Sequence, residues 1–278
     1  MKVNFICFSL IVSFFGCAEA PQDHSSNGGA SETQDVAEEI TINLTALDTS
    51  FFADTVIVEI EHDKVFKQTK KYRAVPFQPV LEKLIAQHQI DIGSTELIYT
   101  CTDGYQPSNG LREVMEQGQA FLAFADVDVP EEQIWVEEYR KKFPPFYLVW
   151  KGIPPDDNII AWPYGLYAIT FAPSKVVFDA IYPKDEAKLA VGFELFKNNC
   201  LKCHSINKIG GIMGPEFNYP INITTYWQRE HILAFVKNPQ SYRYNSKMPA
   251  VQHLSDVELN QIVDYLTYMA AHPLEEDE

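Results

Sequence analysis

Cys200-Leu201-Lys202-Cys203-His204 is the stretch that decides the fold of the C-terminal part of this chain. Two cysteines three positions apart, followed at once by a histidine, have the attachment spacing of a c-type haem. Each thiol can form a thioether to one porphyrin edge, and His204 can then bind the iron as an axial ligand. The alternatives are a chance CxxC and one half of a zinc or disulfide site. A zinc site needs a second Cys/His pair at short spacing, and Cys7, Cys17 and Cys101 form none.

Length and composition predict two modest domains with extensions. The 278 residues are 46% hydrophobic and 13% aromatic, so each domain can bury a core. The formal net charge is -16, which argues against a nucleic-acid partner. The acidic residues gather at 32–39, 126–138 and 275–278, whereas acids and bases nearly cancel between 186 and 273. The net charge therefore says little about the surface around the cysteine motif.

Residues 1–17 predict an exported lipoprotein. Lys2 precedes an apolar run that ends at Gly16-Cys17, as in a secretory signal that is too short to span a bilayer. Phe14-Phe15-Gly16-Cys17 resembles a bacterial lipoprotein box, in which Cys17 is lipidated and becomes the new N-terminus. Ala18-Glu19-Ala20 is a competing site of ordinary cleavage, which would leave a soluble periplasmic protein. We expect a lipid anchor on the periplasmic side of a bacterial membrane, with residues 18–40 as a disordered tether.

Two folded segments follow the predicted tether. Residues 41–183 mix strands and helices and predict an α+β domain. Its predicted strands are 55–60, 96–100, 120–125, 146–150 and 164–171, and its predicted helices are 79–88 and 111–117. Residues 184–273 predict an all-α domain with helices at 186–198, 227–236 and 255–271, followed by an acidic tail at 274–278. Ser255 and Glu258 form a capping box at the start of the last helix.

The C-terminal segment resembles the class I cytochrome c family. The matching residues are Gly192-Phe193-Glu194-Leu195-Phe196, the cysteine motif, Gly214-Pro215-Glu216-Phe217, Lys247-Met248-Pro249 and the aromatic last helix through Tyr265. The ordered set is more specific than the cysteine motif alone. The resemblance implies that the all-α domain is a cytochrome c domain with one covalent haem c.

The same resemblance implies the ligands of the iron. His204 would be one axial ligand, with its other ring nitrogen oriented by a carbonyl group near Pro215. Met248 would be the second, a soft thioether that raises the reduction potential. Its rivals are Met213, Met269, His231 and His253. With both axial positions filled, the implied activity is one-electron transfer by a carrier rather than catalysis at iron, whereas a displaceable Met248 would favour a haem-based sensor.

The N-terminal segment resembles the sulfite-oxidase-type molybdopterin-binding fold more weakly. Thr100-Cys101-Thr102-Asp103-Gly104-Tyr105 and Pro163-Tyr164-Gly165-Leu166 carry this resemblance, and Cys101 is the one residue that can be matched to the family's molybdenum ligand. We expect a docking or binding module in which Cys101 is buried. The alternative is a molybdenum cofactor on Cys101, which would make the chain a haem-containing subunit of a periplasmic oxidoreductase.

Redox proteins of the periplasm or membrane are the expected partners. Four lysines lie near the haem motifs in sequence and could steer an acidic partner, although a solvated surface explains them equally well. These are Lys197, Lys202, Lys208 and Lys247.

Overall fold

The structure is a computed structural model that describes residues 38–117, 119–184 and 186–274. These residues all belong to one compact unit. The predicted signal peptide, the lipidation site Cys17 and nearly all of the tether lie outside the described residues, as do residues 275–278 of the acidic tail. The first strand begins at Ile40, the last residue of the predicted tether.

An eight-stranded antiparallel sheet is the framework of the N-terminal region. Its main path runs in the order β2-β3-β6-β7-β8-β4-β5. One edge of β8 pairs with β4, and the other edge pairs first with β7 and then with β1, so the sheet curls around β8. The strands are β1 (Ile40–Asn43), β2 (Val56–Ile60), β3 (Lys70–Pro76), β4 (Thr95–Cys101), β5 (Ser108–Gly110), β6 (Ala120–Asp126), β7 (Phe146–Trp150) and β8 (Tyr164–Pro173).

Helices cover part of this sheet. They are α1 (Phe77–His88), α2 (Leu111–Gln117) and α3 (Ser174–Val177). Phe77, Val80, Leu81 and Leu84 of α1 are buried at the spacing of one helix face, and they join the main apolar core of the sheet. Both predicted helices and all five predicted strands of the N-terminal region are confirmed, and its α+β character with them.

Three strands of the eight-stranded sheet, β1, β3 and β5, were not predicted, and β3 shows why. Its sequence begins with two lysines, which are typical of a surface loop, yet Lys70 is buried. Its ammonium group lies 2.8 Å from the carboxylate of Asp126 and 3.0 Å from that of Asp128. Asp126 is buried as well, so the acidic segment 126–138 does not lie wholly on the surface.

The C-terminal region is built from short helices joined by long loops. They are α4 (Ala190–Phe196), α5 (Ile223–Tyr226), α6 (Arg229–Lys237), α7 (Pro239–Tyr242) and α8 (Asp256–Met269). A two-stranded pair, β9 (Ser205–Ile206) and β10 (Ile209–Gly210), follows the cysteine motif. The predicted helical character is confirmed with shorter helices, and the prediction of an all-α region missed this strand pair.

The crossing of α4 over α8 holds the C-terminal region together. Gly192 lies so close to α8 that an added Cβ would meet the backbone carbonyl of Gln261. Phe196 packs against Tyr265 with ring centroids 5.3 Å apart. The Ser255 capping box at the start of α8 is present as predicted. The cysteine motif directly follows α4, so this crossing sets its position.

Candidate haem site

The two cysteines and the histidine of the motif lie on one tight turn. A π-helical turn, Lys197–Leu201, continues α4, and the backbone N–H groups of Cys203 and His204 both donate to the carbonyl of Cys200, at 3.0 and 2.9 Å. Both thiols are free and partly buried, and Cys200 packs against the apolar core of the C-terminal region. Burial raises the pKa of the Cys200 thiol to about 12, so it is protonated at neutral pH.

His204 is held in the orientation that a metal ligand needs. Its Nδ1 lies 2.8 Å from the carbonyl oxygen of Pro215, and because a carbonyl can only accept, Nδ1 carries the proton and Nε2 keeps a free lone pair. Its ring stacks on Phe217, with centroids 4.4 Å apart. Burial lowers the pKa of the imidazole, against the opposing effect of the Pro215 hydrogen bond, so the side chain is neutral at pH 7.

The loop that carries Pro215 is tied back onto the motif. The N–H of Gly211 donates to the carbonyl of Leu201, and that of Gly214 donates to the carbonyl of Cys203, both at 2.8 Å. The N–H of Phe217 donates to the carbonyl of Ser205 at 2.9 Å. These backbone bonds hold the Pro215 carbonyl beside Nδ1 of His204.

Met248 lies in the loop between α7 and α8. Its side chain is partly buried, and its carbonyl accepts a hydrogen bond from the Gln240 amide at 2.9 Å. The loop returns to α6 through a bond from the Val251 N–H to the Val236 carbonyl, at 3.0 Å. Met248 is therefore a partly buried thioether on a loop that is anchored on both sides.

The rival ligands differ from Met248 in their surroundings. Met269 is 1% exposed in the core face of α8, whereas Met213 is 48% exposed in the loop after the motif. The ring of His231 packs edge-on against Trp227, with centroids 4.5 Å apart, and Nε2 of His253 lies 2.8 Å from the side-chain oxygen of Asn199. Met213 is the rival with the freest side chain.

Two of the four lysines do not face open solvent. Lys197 forms an ion pair with Glu96 of the N-terminal region at 2.8 Å, and burial lowers the pKa of Lys202. Lys208 and Lys247 are exposed. Steering of a partner by these lysines stays a prediction, for which Lys208 and Lys247 are the exposed candidates.

Cys101 ends β4 and is 3% exposed. Burial is the main cause of a strongly raised pKa for its thiol, which disfavours the thiolate form that binds metals. Among the described residues, no group of three or more His, Cys, Asp or Glu side chains is arranged to hold a metal ion. A single thiolate on molybdenum would need no such group, so a docking module and a molybdenum cofactor on Cys101 both stay predictions.

Sequence reasoning missed the residues that bring the two regions together. The turn after Cys101 contacts the cysteine motif directly, because the N–H of Gln106 donates to the carbonyl of Lys202 at 2.9 Å. About a hundred positions separate these segments, and no pattern in the sequence predicts their contact. The residues of the cysteine motif are close together in sequence, whereas some residues that contact the motif lie about a hundred positions away.

The described residues fit a covalent haem. Two thiols on one turn can each form a thioether, and a neutral imidazole with a free Nε2 can bind iron. The adjoining core is apolar, with Phe196, Leu201, Ile206 and Ile223 among its members. None of the described helices is both long enough and apolar enough to cross a membrane.

Comparison with known proteins supports this assignment. Residues 187–266 match the family described as cytochrome C oxidase, cbb3-type, subunit III. The match includes the cysteine motif, Pro215 and Met248, and it excludes the whole N-terminal sheet. No solved structure matches the chain, and the resemblance of the N-terminal region to the sulfite-oxidase-type fold has no support from these comparisons. The chain therefore carries a C-terminal cytochrome c domain.

Proposed function

We propose that this protein is an exported monohaem c-type cytochrome that transfers one electron at a time. Cys200 and Cys203 attach the haem, and His204 and Met248 are its axial ligands. The observation that carries the proposal is the hydrogen bond from Nδ1 of His204 to the Pro215 carbonyl. That bond fixes the tautomer and ring orientation of an imidazole next to two free thiols on one turn.

Haem c supplies the one-electron exchange between ferric and ferrous iron. The side chains of this protein do the rest. His204 binds through Nε2, and the Met248 thioether favours the ferrous form. With His204 and Met248 both bound to the iron, no position would be left for a substrate, so the protein would act as an electron carrier rather than a catalyst.

The remaining parts of the proposal concern location and organisation. Residues 41–183 form a docking or binding domain, and residues 184–273 form the cytochrome domain. Lipidation at Cys17 anchors the protein on the periplasmic side of a bacterial membrane, where its partners are other redox proteins. A Cys17→Ala variant should then move from the membrane fraction to the soluble periplasm, and an unchanged distribution would contradict the anchor.

A spectrum of the full-length protein, produced in a host that attaches c-type haem, tests the haem assignment. We expect the mass of one haem to remain after denaturation, a low-spin ferrous α band and the weak near-infrared band of methionine ligation. A Cys203→Ser variant, which keeps Cys200 and His204, should lose one thioether and shift the α band of its pyridine haemochrome. Absence of covalent haem from the wild-type protein would overturn the proposal.

A further inference from the structure

The N-terminal region touches the cysteine motif through one turn, residues 102–106. The N–H of Gln106 donates to the carbonyl of Lys202, inside the motif, at 2.9 Å. The carbonyl of Gly104 accepts from the N–H of Ile212, eight residues after His204, also at 2.9 Å. The 102–106 turn is therefore bonded through backbone atoms to the motif and to the loop that leaves it.

Gly104 is what allows this close approach. Its φ is +86°, a conformation that glycine adopts readily and other residues rarely do. An added Cβ would lie 2.7 Å from Cγ1 of Ile212, closer than carbon atoms can pack. Both the conformation and the space call for glycine here.

An ion pair provides a second anchor on the other side of the motif. The ammonium group of Lys197 lies 2.8 Å from the carboxylate of Glu96, and their side chains are 18% and 8% exposed. The same ammonium group lies 4.6 Å from the ring centroid of Phe178. The N-terminal region thus holds the chain before, within and after the motif.

Tyr105 lies between Gly104 and Gln106, the two residues of the turn that make these backbone bonds. Its partly buried side chain packs against the core of the N-terminal sheet, and it lines a small cavity of about 30 Å³ together with Lys197 and Lys202. The next residue, Gln106, donates to the Lys202 carbonyl, which belongs to the peptide unit that joins Lys202 to Cys203. A thioether would join Sγ of Cys203 directly to the porphyrin periphery, so this turn would lie beside that edge of the haem.

We propose that Tyr105 is a positioning residue, and that with the 102–106 turn it forms a fixed wall that keeps water from the haem edge at Cys203 and raises the reduction potential. The inference rests on the proposed function and gives the N-terminal region a role in it. Ferric haem carries one more positive charge than ferrous haem. Water stabilises the more highly charged state more strongly, so excluding water favours the ferrous state.

The test is the midpoint potential of the full-length holoprotein with Tyr105 replaced. Tyr105→Ala should lower the potential and speed reduction by the small hydrophilic reagent ascorbate per unit of driving force, while the low-spin spectrum is retained. Tyr105→Phe should keep the wild-type potential, because the ring and not the hydroxyl group fills the wall. Tyr139→Ala is the matched control: it removes another partly buried tyrosine of the N-terminal region, packed on Phe66 and Phe143.

The possible outcomes distinguish failure of the inference about Tyr105 from failure of the proposed electron-transfer function. If Tyr105→Ala kept the wild-type reduction potential, the inference about Tyr105 would be overturned. An equal drop in the potential of Tyr139→Ala would also overturn it, because a general loosening of the N-terminal region would then explain the effect of each substitution. If Tyr105→Ala does not fold, Gly104→Ala decides, since it pushes the turn away from Ile212 and should lower the potential in the same way. A wild-type protein without a low-spin six-coordinate spectrum would refute the proposed function itself, whatever the variants do.

Discussion

At the scale of single residues, the candidate site combines residues of the cysteine motif with residues that lie far from it in sequence. His204 follows Cys203 directly, and Pro215 lies eleven positions further on, where three backbone bonds tie its loop to the motif. Met248 lies on a separate loop. The position of Met248, the proposed second ligand, therefore depends on the packing of α6, α7 and α8 more than that of His204 does.

Replacing Met248 by Ala tests this second ligand. We expect loss of the near-infrared methionine band, a high-spin ferric spectrum or a new sixth ligand, and a lower reduction potential, because the thioether that favours ferrous iron is gone. Absorption spectra and a redox titration measure these changes. Met213→Ala is the control, since Met213 is the exposed rival beside the motif. If Met213→Ala lost the band and Met248→Ala kept it, the assignment would be reversed.

The cysteine motif pointed to His204, and the resemblance to class I cytochromes c implied its hydrogen bond near Pro215, which is formed within a short segment of chain. Glu96, Gly104 and Tyr105 could not be found in the same way. Their role comes from contacts with segments about a hundred positions away, and Asp103-Gly104-Tyr105 reads as an ordinary turn between strands. A short motif identifies the chemistry it contains, whereas its surroundings follow from tertiary packing.

At the scale of helices and strands, the pattern of apolar residues predicted the elements that bury one face. The apolar positions of α1 recur at helical spacing and face the sheet core, and the capping box marks the start of α8. Strand β3 escaped prediction because a buried ion pair at Lys70 replaces an apolar contact. Strand β5 is only three residues long, too short to show a period.

The crossing of α4 and α8 gives a stability prediction. Gly192→Ala should lower the free energy of unfolding by about 1–3 kcal/mol, because the new methyl group meets the Gln261 carbonyl and forces the helices apart. Gly110→Ala is the matched control: the space around Gly110 is open to an added methyl group, and the change should stay within about 0.5 kcal/mol. Urea unfolding of the holoproteins measures both, and equal losses would contradict the role of the crossing.

At the scale of the whole molecule, the N-terminal sheet region is bonded directly to the segment that carries the cysteine motif. Glu96 contacts Lys197 just before the cysteine motif, and the 102–106 turn contacts the motif itself and the loop after it. The N-terminal region and the motif are thus joined by an ion pair and by backbone hydrogen bonds within one compact unit. A change in the charge of this junction should therefore affect the stability of the entire protein.

The carboxyl group of Glu113, in α2, is affected by the charges of Glu96 and Lys197 at this junction. The stability of the protein should therefore depend on pH through this group. Burial raises the pKa of this carboxyl group, and the charges of Asp157 and Glu96 raise it further, against opposing effects of Lys197 and Asn109. The folded protein therefore holds this proton more tightly than the unfolded chain does. The stabilisation is fully present below the unfolded pKa of about 4.3 and is lost as pH rises through the folded value.

Glu113→Gln, which keeps the shape and removes the charge, should therefore gain stability over the wild-type protein as pH rises from 4 to 7. Urea unfolding at both pH values measures the difference. Glu116→Gln is the control, since Glu116 is an exposed carboxylate on the same helix, and it should follow the wild-type curve. If Glu113→Gln were no more stable than the wild-type protein at pH 7, burial of the charged carboxylate would not destabilise the folded state. The predicted pH dependence of stability at this junction would then be wrong.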